Sequence, residues 1–111
     1  LMQAIITYQD FEKLELRTGT IVAAFAPAWS PKLLEFEVDF GIEIGHKTIL
    51  SGIRKWYEPE FFVGKSFVFV VNLAERKMGE SISQGMMLMA DGEEPTVIPA
   101  PSTVLAGTAV R

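Results

Sequence analysis

Residues 34–40 read Leu-Glu-Phe-Glu-Val-Asp-Phe, and their strict alternation decides the fold class. A strand turns successive side chains to opposite faces, so Leu34, Phe36, Val38 and Phe40 share a core face while Glu35, Glu37 and Asp39 face water. A helix would scatter the same residues around its circumference. Gly41–Gly45 forms a turn, and His46–Leu50 is the expected hairpin partner, although its alternation is weaker.

On the N-terminal side, Leu14–Phe25 (LELRTGTIVAAF) is rich in β-branched residues and reads as a long first strand. Ala26–Lys32 (APAWSPK) carries two prolines and a serine and ends it. On the C-terminal side, Ile53–Phe62 (IRKWYEPEFF) holds Pro59, which disfavours helical backbone at Glu58 and limits any helix to a short or broken one. Ser66–Leu73 (SFVFVVNL) is nearly continuous apolar sequence, as expected of a strand buried on both sides or closed into a barrel. Ala74–Gln84 reads as a polar loop, Gly85–Ala90 (GMMLMA) as a further strand, and Asp91-Gly92 as the start of a turn. Prolines at 95, 99 and 101 break up the remainder, leaving short pieces at Thr96–Ile98 and Ala109–Val110.

This order predicts an all-β domain over residues 1–111: a five-stranded OB barrel with a short helix between strands three and four. A small sandwich or an SH3-like barrel needs a similar strand count. The length suits one domain, and no repeat, linker or low-complexity tract divides it. Apolar runs such as Phe67–Val71 and Met86–Ala90 are far too short to cross a bilayer. The N-terminus has neither a cationic leader nor an apolar stretch of signal-peptide length, so no membrane partner and a cytoplasmic location are expected. Without cysteine, disulfides, thiolate chemistry and Cys-based zinc sites are excluded.

The net charge of −4 argues against a general nucleic-acid coat protein, because phosphate binding runs on clustered cations. Yet Lys47, Arg54, Lys55, Lys65, Arg76 and Lys77 gather in the middle of the chain, which allows a local basic face. An OB barrel binds on strands two and three and with the loops after strands one and four. The first of these loops holds Trp29, Ser30 and Lys32; the second holds Arg76, Lys77, Ser81 and Ser83, with Gln84-Gly85 at the mouth of strand five. Cations position phosphates, hydroxyls and amides reach sugar or base edges, and an aromatic offers a stacking surface, a mixture that suits an RNA end or loop better than a duplex. Plainer readings stand beside these: Arg76-Lys77 as a solvated pair, Ser81 and Ser83 as turn formers, Trp29 as a cover for a barrel end, and Trp56 packed inward. Catalysis finds less support. His46 is the sole histidine, no serine sits in a glycine elbow, and Glu58 and Glu60 flank Pro59 as turn caps. No catalytic residue, metal or cofactor is expected.

The stretches LELRTGTIV (14–22), KLLEFEVDFG (32–41), ILSGIRKWYEPEFFVGK (49–65), VVNLAERKMG (70–79) and SQGMML (83–88) follow one another in order. Together they resemble the tRNA-binding domain shared by stand-alone CsaA-type proteins, the C-terminal module of bacterial methionyl-tRNA synthetases and the cytokine-like cofactors of eukaryotic synthetases. The resemblance covers nearly the whole chain. It implies an OB barrel, a two-fold homodimer, and recognition of tRNA by shape at its elbow or outer corner. It also implies an RNA-contacting set of Lys32, Asn72, Arg76, Lys77, Ser83 and Met86, to which Ser51 and Arg54 are added. Two departures bear on affinity. Ala26–Pro31 replaces the His-Pro and Ala-Asp pairs of many relatives, so Trp29 replaces or blocks contacts there; Ala74-Glu75 replaces a basic-proline segment and removes positive charge.

The expectation is thus a non-catalytic, homodimeric tRNA-binding protein, acting free or as a separate subunit because no synthetase domain lies within these residues. The alternatives are a CsaA-like export chaperone that binds unfolded preproteins, and a docking subunit for methionyl-tRNA synthetase. For a dimer, the Val97–Val110 tail and Phe61-Phe62 are the surfaces expected to lie under a partner.

Overall fold

The expected hairpin is present in the computed structural model, which describes residues 2–111. Strand β1 spans Leu16–Phe25, β2 Leu34–Asp39 and β3 His46–Ser51, after a one-turn helix α1 at Tyr8–Phe11. The turn between β2 and β3 winds into a second one-turn helix, α2, at Gly41–Ile44. In β2, Leu34, Phe36 and Val38 are wholly buried while the three carboxylates are half-exposed, as the alternation requires. Strand β4 (Ser66–Val70) pairs with β1, and β7 (Met86–Met87) pairs with β4, giving the antiparallel path β3-β2-β1-β4-β7. That is a nearly closed five-strand barrel.

Closure is made by side chains as well as backbone. Gln84 N–H donates to Thr48 O at 2.8 Å, Thr48 N–H donates to Gln84 Oε1 at 2.9 Å, and Leu50 N–H donates to Ser83 Oγ at 3.0 Å. These bonds join the edge of β3 to the chain entering β7 and satisfy donors that the edge would otherwise leave open. Inside, Phe36 packs on Phe62 (centroids 4.8 Å apart) and Phe40 meets Phe69 edge-on at 5.1 Å, with Ile21, Ile49, Ile53, Phe67 and Met87 filling the remainder. Gly19 of β1 leaves room for them, since a Cβ there would lie 2.6 Å from both Val38 Cγ1 and the Phe40 ring.

Several expectations change. The helical element at 53–62 contracts to turns and a 3-10 turn at Pro59–Phe61, with proline at its start. The polar loop at 74–84 contains a hairpin, β5 (Arg76–Met78) with β6 (Ser81–Ser83), turning at Gly79. It lies outside the barrel, and its covered face carries the polar Ser81 and Ser83, so it leaves no hydrophobic period-two signal in its sequence. The strand expected at 85–90 is interrupted at Leu88; beyond it β8 (Met89–Asp91) leaves the barrel and pairs with β9 (Pro95–Val97).

The surfaces assigned to a partner are also partly used at home. Phe62 is wholly buried in the core. The tail returns to β1, where β10 (Ala109–Val110) pairs with Leu16 and Arg17. There the buried Thr18 donates its hydroxyl to Leu105 O at 2.9 Å, and Arg17 Nη1 donates to Gly107 O at 2.9 Å. Ile98 and Leu105 stay exposed, together with Ile5, Ile6 and Ile42. Among the described residues no helix is long and apolar enough to cross a membrane. Gly19→Ala should overpack the core and lower the unfolding free energy by about 1–3 kcal/mol in a urea titration.

Candidate nucleic-acid interface

The outer face of β3 carries the site. Leu50 faces outward here, opposite Glu35, and is covered because the β5–β6 hairpin folds over it. Two interactions hold the hairpin in place. Ser81 Oγ donates to Glu35 Oε1 at 2.6 Å, and the Trp29 ring lies against Gly79, whose positive φ of 60° and missing side chain leave space for it. Trp29 therefore ties the loop after β1 to the hairpin tip, closer to the cover reading than to a free stacking surface.

Three neighbouring concavities share lining residues around β3. A cavity of about 750 Å³ is lined by Lys32, Gly52, Lys55 and Trp56 among others. Gly52 also lines a second, of about 420 Å³, which includes Leu50, Ser51 and Met86. Leu50 and Met86 in turn line a third, of about 180 Å³, with Leu73, Arg76, Met78 and Ser83. Lys32, Ser51, Ser83, Arg76 and Met86 thus line three neighbouring concavities that share Gly52, Leu50 and Met86.

The remaining sequence-selected residues are placed differently. Arg76 and Met78 line the groove, so alternation along β5 turns Lys77 to the hairpin's other face, where it pairs with the exposed Ile82. Arg54 Nη1 donates to Pro27 O at 3.1 Å and to Ser30 O, which anchors the loop carrying Lys32. Asn72 bridges Glu15 N (2.8 Å) and Lys13 O (2.7 Å) with the two ends of its amide, locking the approach to β1. Ser83, 5% exposed, accepts from Leu50 N–H and donates to Gly85 O at 3.1 Å. Its hydroxyl serves the barrel seam.

Charge is distributed along the same face. Lys32, Lys55 and Arg76 border the groove, whereas Glu37 and Asp39 lie towards the opposite end of β2 with His46 Nδ1 and Nε2 each 3.7 Å from one of them. An acidic domain can therefore present a local cationic edge. Among the described residues, no group of three or more His, Asp or Glu gathers as metal ligands would.

A family model described as "Putative tRNA binding domain" matches residues 16–109. The chain belongs to this tRNA-binding family. It is 46% identical to methionine–tRNA ligase of Xanthomonas campestris pv. campestris (strain 8004) over 110 residues and 46% identical to that of Stenotrophomonas maltophilia (strain K279a) over 111, covering 96% and 97% of this chain. The match takes up 16% of each ligase, so the chain spans only a small part of the curated relatives' length. Among solved structures, the MetRS-related protein from Pyrococcus horikoshii superposes with a TM-score of 0.92 at 33% identity, covering 98% of this chain and 100% of that one. Chaperone CsaA from Bacillus anthracis str. Ames superposes with a TM-score of 0.87 at 28% identity, covering 97% and 100%.

In this tRNA-binding domain the concavity beside Lys32 is also lined by Gly52, Lys55 and Trp56, which lay outside the RNA-contacting set expected from the sequence. Trp56 was expected inside the barrel but is 38% exposed at the groove wall. Its neighbour Tyr57 takes the inward place, donating its hydroxyl to Pro95 O at 3.0 Å and accepting from Val97 N–H at 3.3 Å. The adjacency of Lys55 and Trp56 near Pro59 was the available signal. Ser83→Ala should lower the unfolding free energy by about 1–3 kcal/mol, since it orphans the Leu50 N–H.

Proposed function

We propose that this tRNA-binding domain holds folded tRNA along the groove from Lys32 to Arg76, and that it contributes affinity, not chemistry, to methionyl-tRNA synthetase. The observation that supports the reading is the chain of neighbouring concavities, linked by shared Gly52, Leu50 and Met86, whose linings include Lys32, Ser51 and Arg76. A few cations beside an apolar floor suit backbone contacts and shape recognition better than a base-by-base code. The partnership with the synthetase is supported by the 46% identity to methionine–tRNA ligases over nearly the whole chain. Such a domain works where tRNA is charged, in the cytoplasm. Asn72, Arg54 and Ser83 act in this scheme by shaping the groove, and Lys77 reaches a phosphate beyond the hairpin.

The expected result is preferential retention of structured tRNA over unrelated RNA of equal length in filter binding at low salt; equal retention of both overturns the reading. Arg76→Ala should flatten the slope of log K against log salt by about 0.7–0.9, the loss of one phosphate contact, and should weaken binding more than Lys77→Ala does.

A second reading, an export chaperone for unfolded preproteins, is favoured by the similarity to CsaA and by the apolar floor at Leu50 and Met86. It requires an unfolded polypeptide to bind with little salt dependence and without competition from tRNA.

For assembly, a homodimer is the reading that covers Ile5, Ile6, Ile42 and Leu105, which are fully or mostly exposed in the single chain. Sedimentation equilibrium at micromolar concentration should give twice the 12.3 kDa chain mass; a monomeric mass removes the claim.

A further inference from the structure

The largest concavity on the groove has a composition that the phosphate contacts do not explain. Its walls are Ser30, Pro31, Lys32, Leu33, Gly52, Lys55 and Trp56, and its lining is mostly apolar. Lys55 Nζ lies 5.4 Å from the Trp56 ring centroid. Among the described residues neither Lys32 nor Lys55 pairs with a carboxylate within 4.0 Å. The fold turns Trp56 outward for a definite reason. Ile53 is buried in the core and its carbonyl accepts from both Trp56 N–H (3.0 Å) and Tyr57 N–H (3.2 Å), closing a turn. Tyr57 then occupies the inward direction, packed on Phe62 with centroids 5.4 Å apart, and leaves the indole at the surface.

Resting on the tRNA reading of this groove, we propose that this cavity receives one unpaired base of the RNA, stacked on Trp56, with the flanking phosphates held by Lys32 and Lys55. An indole and two ammonium groups free of carboxylate partners line one cavity and suit the parts of a nucleotide: aromatic face to aromatic face, cations to the backbone. The cavity volume falls in the range of small-ligand pockets. Base pairs in a duplex keep their faces stacked on each other, so only an unpaired residue can lay its ring on Trp56. An exported preprotein is a poorer match, because its leader is cationic and the two lysines repel it. Lys55 has a flexible stem that can leave the ring when the base arrives.

The test is a salt-series titration of the full chain with folded tRNA, by filter binding and by tryptophan fluorescence in parallel. Trp56→Ala should weaken binding on the order of 5- to 100-fold, the range for removing one stacking partner, with the salt slope unchanged. Trp56→Phe should recover most of the loss, and Lys55→Ala should flatten the slope by about 0.7–0.9. Gly52→Leu provides a control for folding. A Cβ at Gly52 meets nothing within 4 Å, so a leucine has open space to obstruct the cavity and should lower tRNA affinity, and its melting temperature, measured in parallel, separates a blocked cavity from a damaged fold. Quenching of fluorescence on tRNA addition should fall in Trp56→Phe to the level contributed by Trp29 alone.

If wild type retains tRNA selectively and both Trp56→Ala and Gly52→Leu bind within twofold of it, the base pocket is overturned and the tRNA reading stands. If wild type shows no preference for tRNA, both fall together. Trp56-dependent binding of an unfolded polypeptide, with tRNA binding indifferent to Trp56, overturns the base assignment as well.

Discussion

A five-stranded sheet that curls on itself leaves one gap, and here the gap lies between β3 and the chain entering β7. Ser83 Oγ and the Gln84 side chain complete the ladder there by accepting from Leu50 N–H and Thr48 N–H. Without these bonds the edge donors of β3 would stay open, and the hairpin that ends at Ser83 would lose its anchor. Everything on the outer face follows from this seam. It brings the β5–β6 hairpin over Leu50, where the Glu35–Ser81 hydrogen bond and the packing of Trp29 on Gly79 hold it. One concavity lies beside that hairpin at Arg76 and Met78, and another between the 30–33 loop and the 52–56 turn.

The polar residues divide their work accordingly. Asn72, Arg54 and Ser83 spend hydrogen bonds on the protein itself, fixing the approach to β1, the loop before β2 and the seam. Lys32, Arg76 and Met86 are left facing the groove. A motif residue can thus serve binding without touching a ligand, by holding the backbone that does. The same division accounts for an acidic domain in a nucleic-acid-binding family. The carboxylates of Glu37 and Asp39 cluster with His46 at one end of the β2–β3 hairpin, while Glu35 and Glu75 nearer the cations accept hydrogen bonds from Ser81 and Gln84. Phosphates respond to local charge within about a Debye length, ~8–10 Å in ordinary buffers, not to the sum over the chain.

The relatives place this barrel in different settings: a segment within much longer methionine–tRNA ligases, a separate MetRS-related chain, and a protein described as a chaperone. A barrel stapled by its own tail to β1 carries its core with it, which suits a unit used in several contexts.

The barrel was legible along the chain because burial imposes a period: the alternation at 34–40 and the apolar run at 66–70 can satisfy water and core in only one way. Family motifs singled out Lys32, Asn72, Arg76, Lys77, Ser83 and Met86, with Ser51 and Arg54 added, and loop chemistry independently selected Lys32, Arg76, Lys77 and Ser83. Neither reveals which polar atoms are already engaged. That depends on partners distant in sequence, as when Asn72 meets Glu15 and Ser83 meets Leu50, and on surface pieces such as the β5–β6 hairpin that carry no hydrophobic period. Trp56 shows the limit most directly. Composition marks it as a core residue, yet Tyr57 takes the core position beside it, and only the three-dimensional competition between two neighbouring rings decides which one faces the solvent.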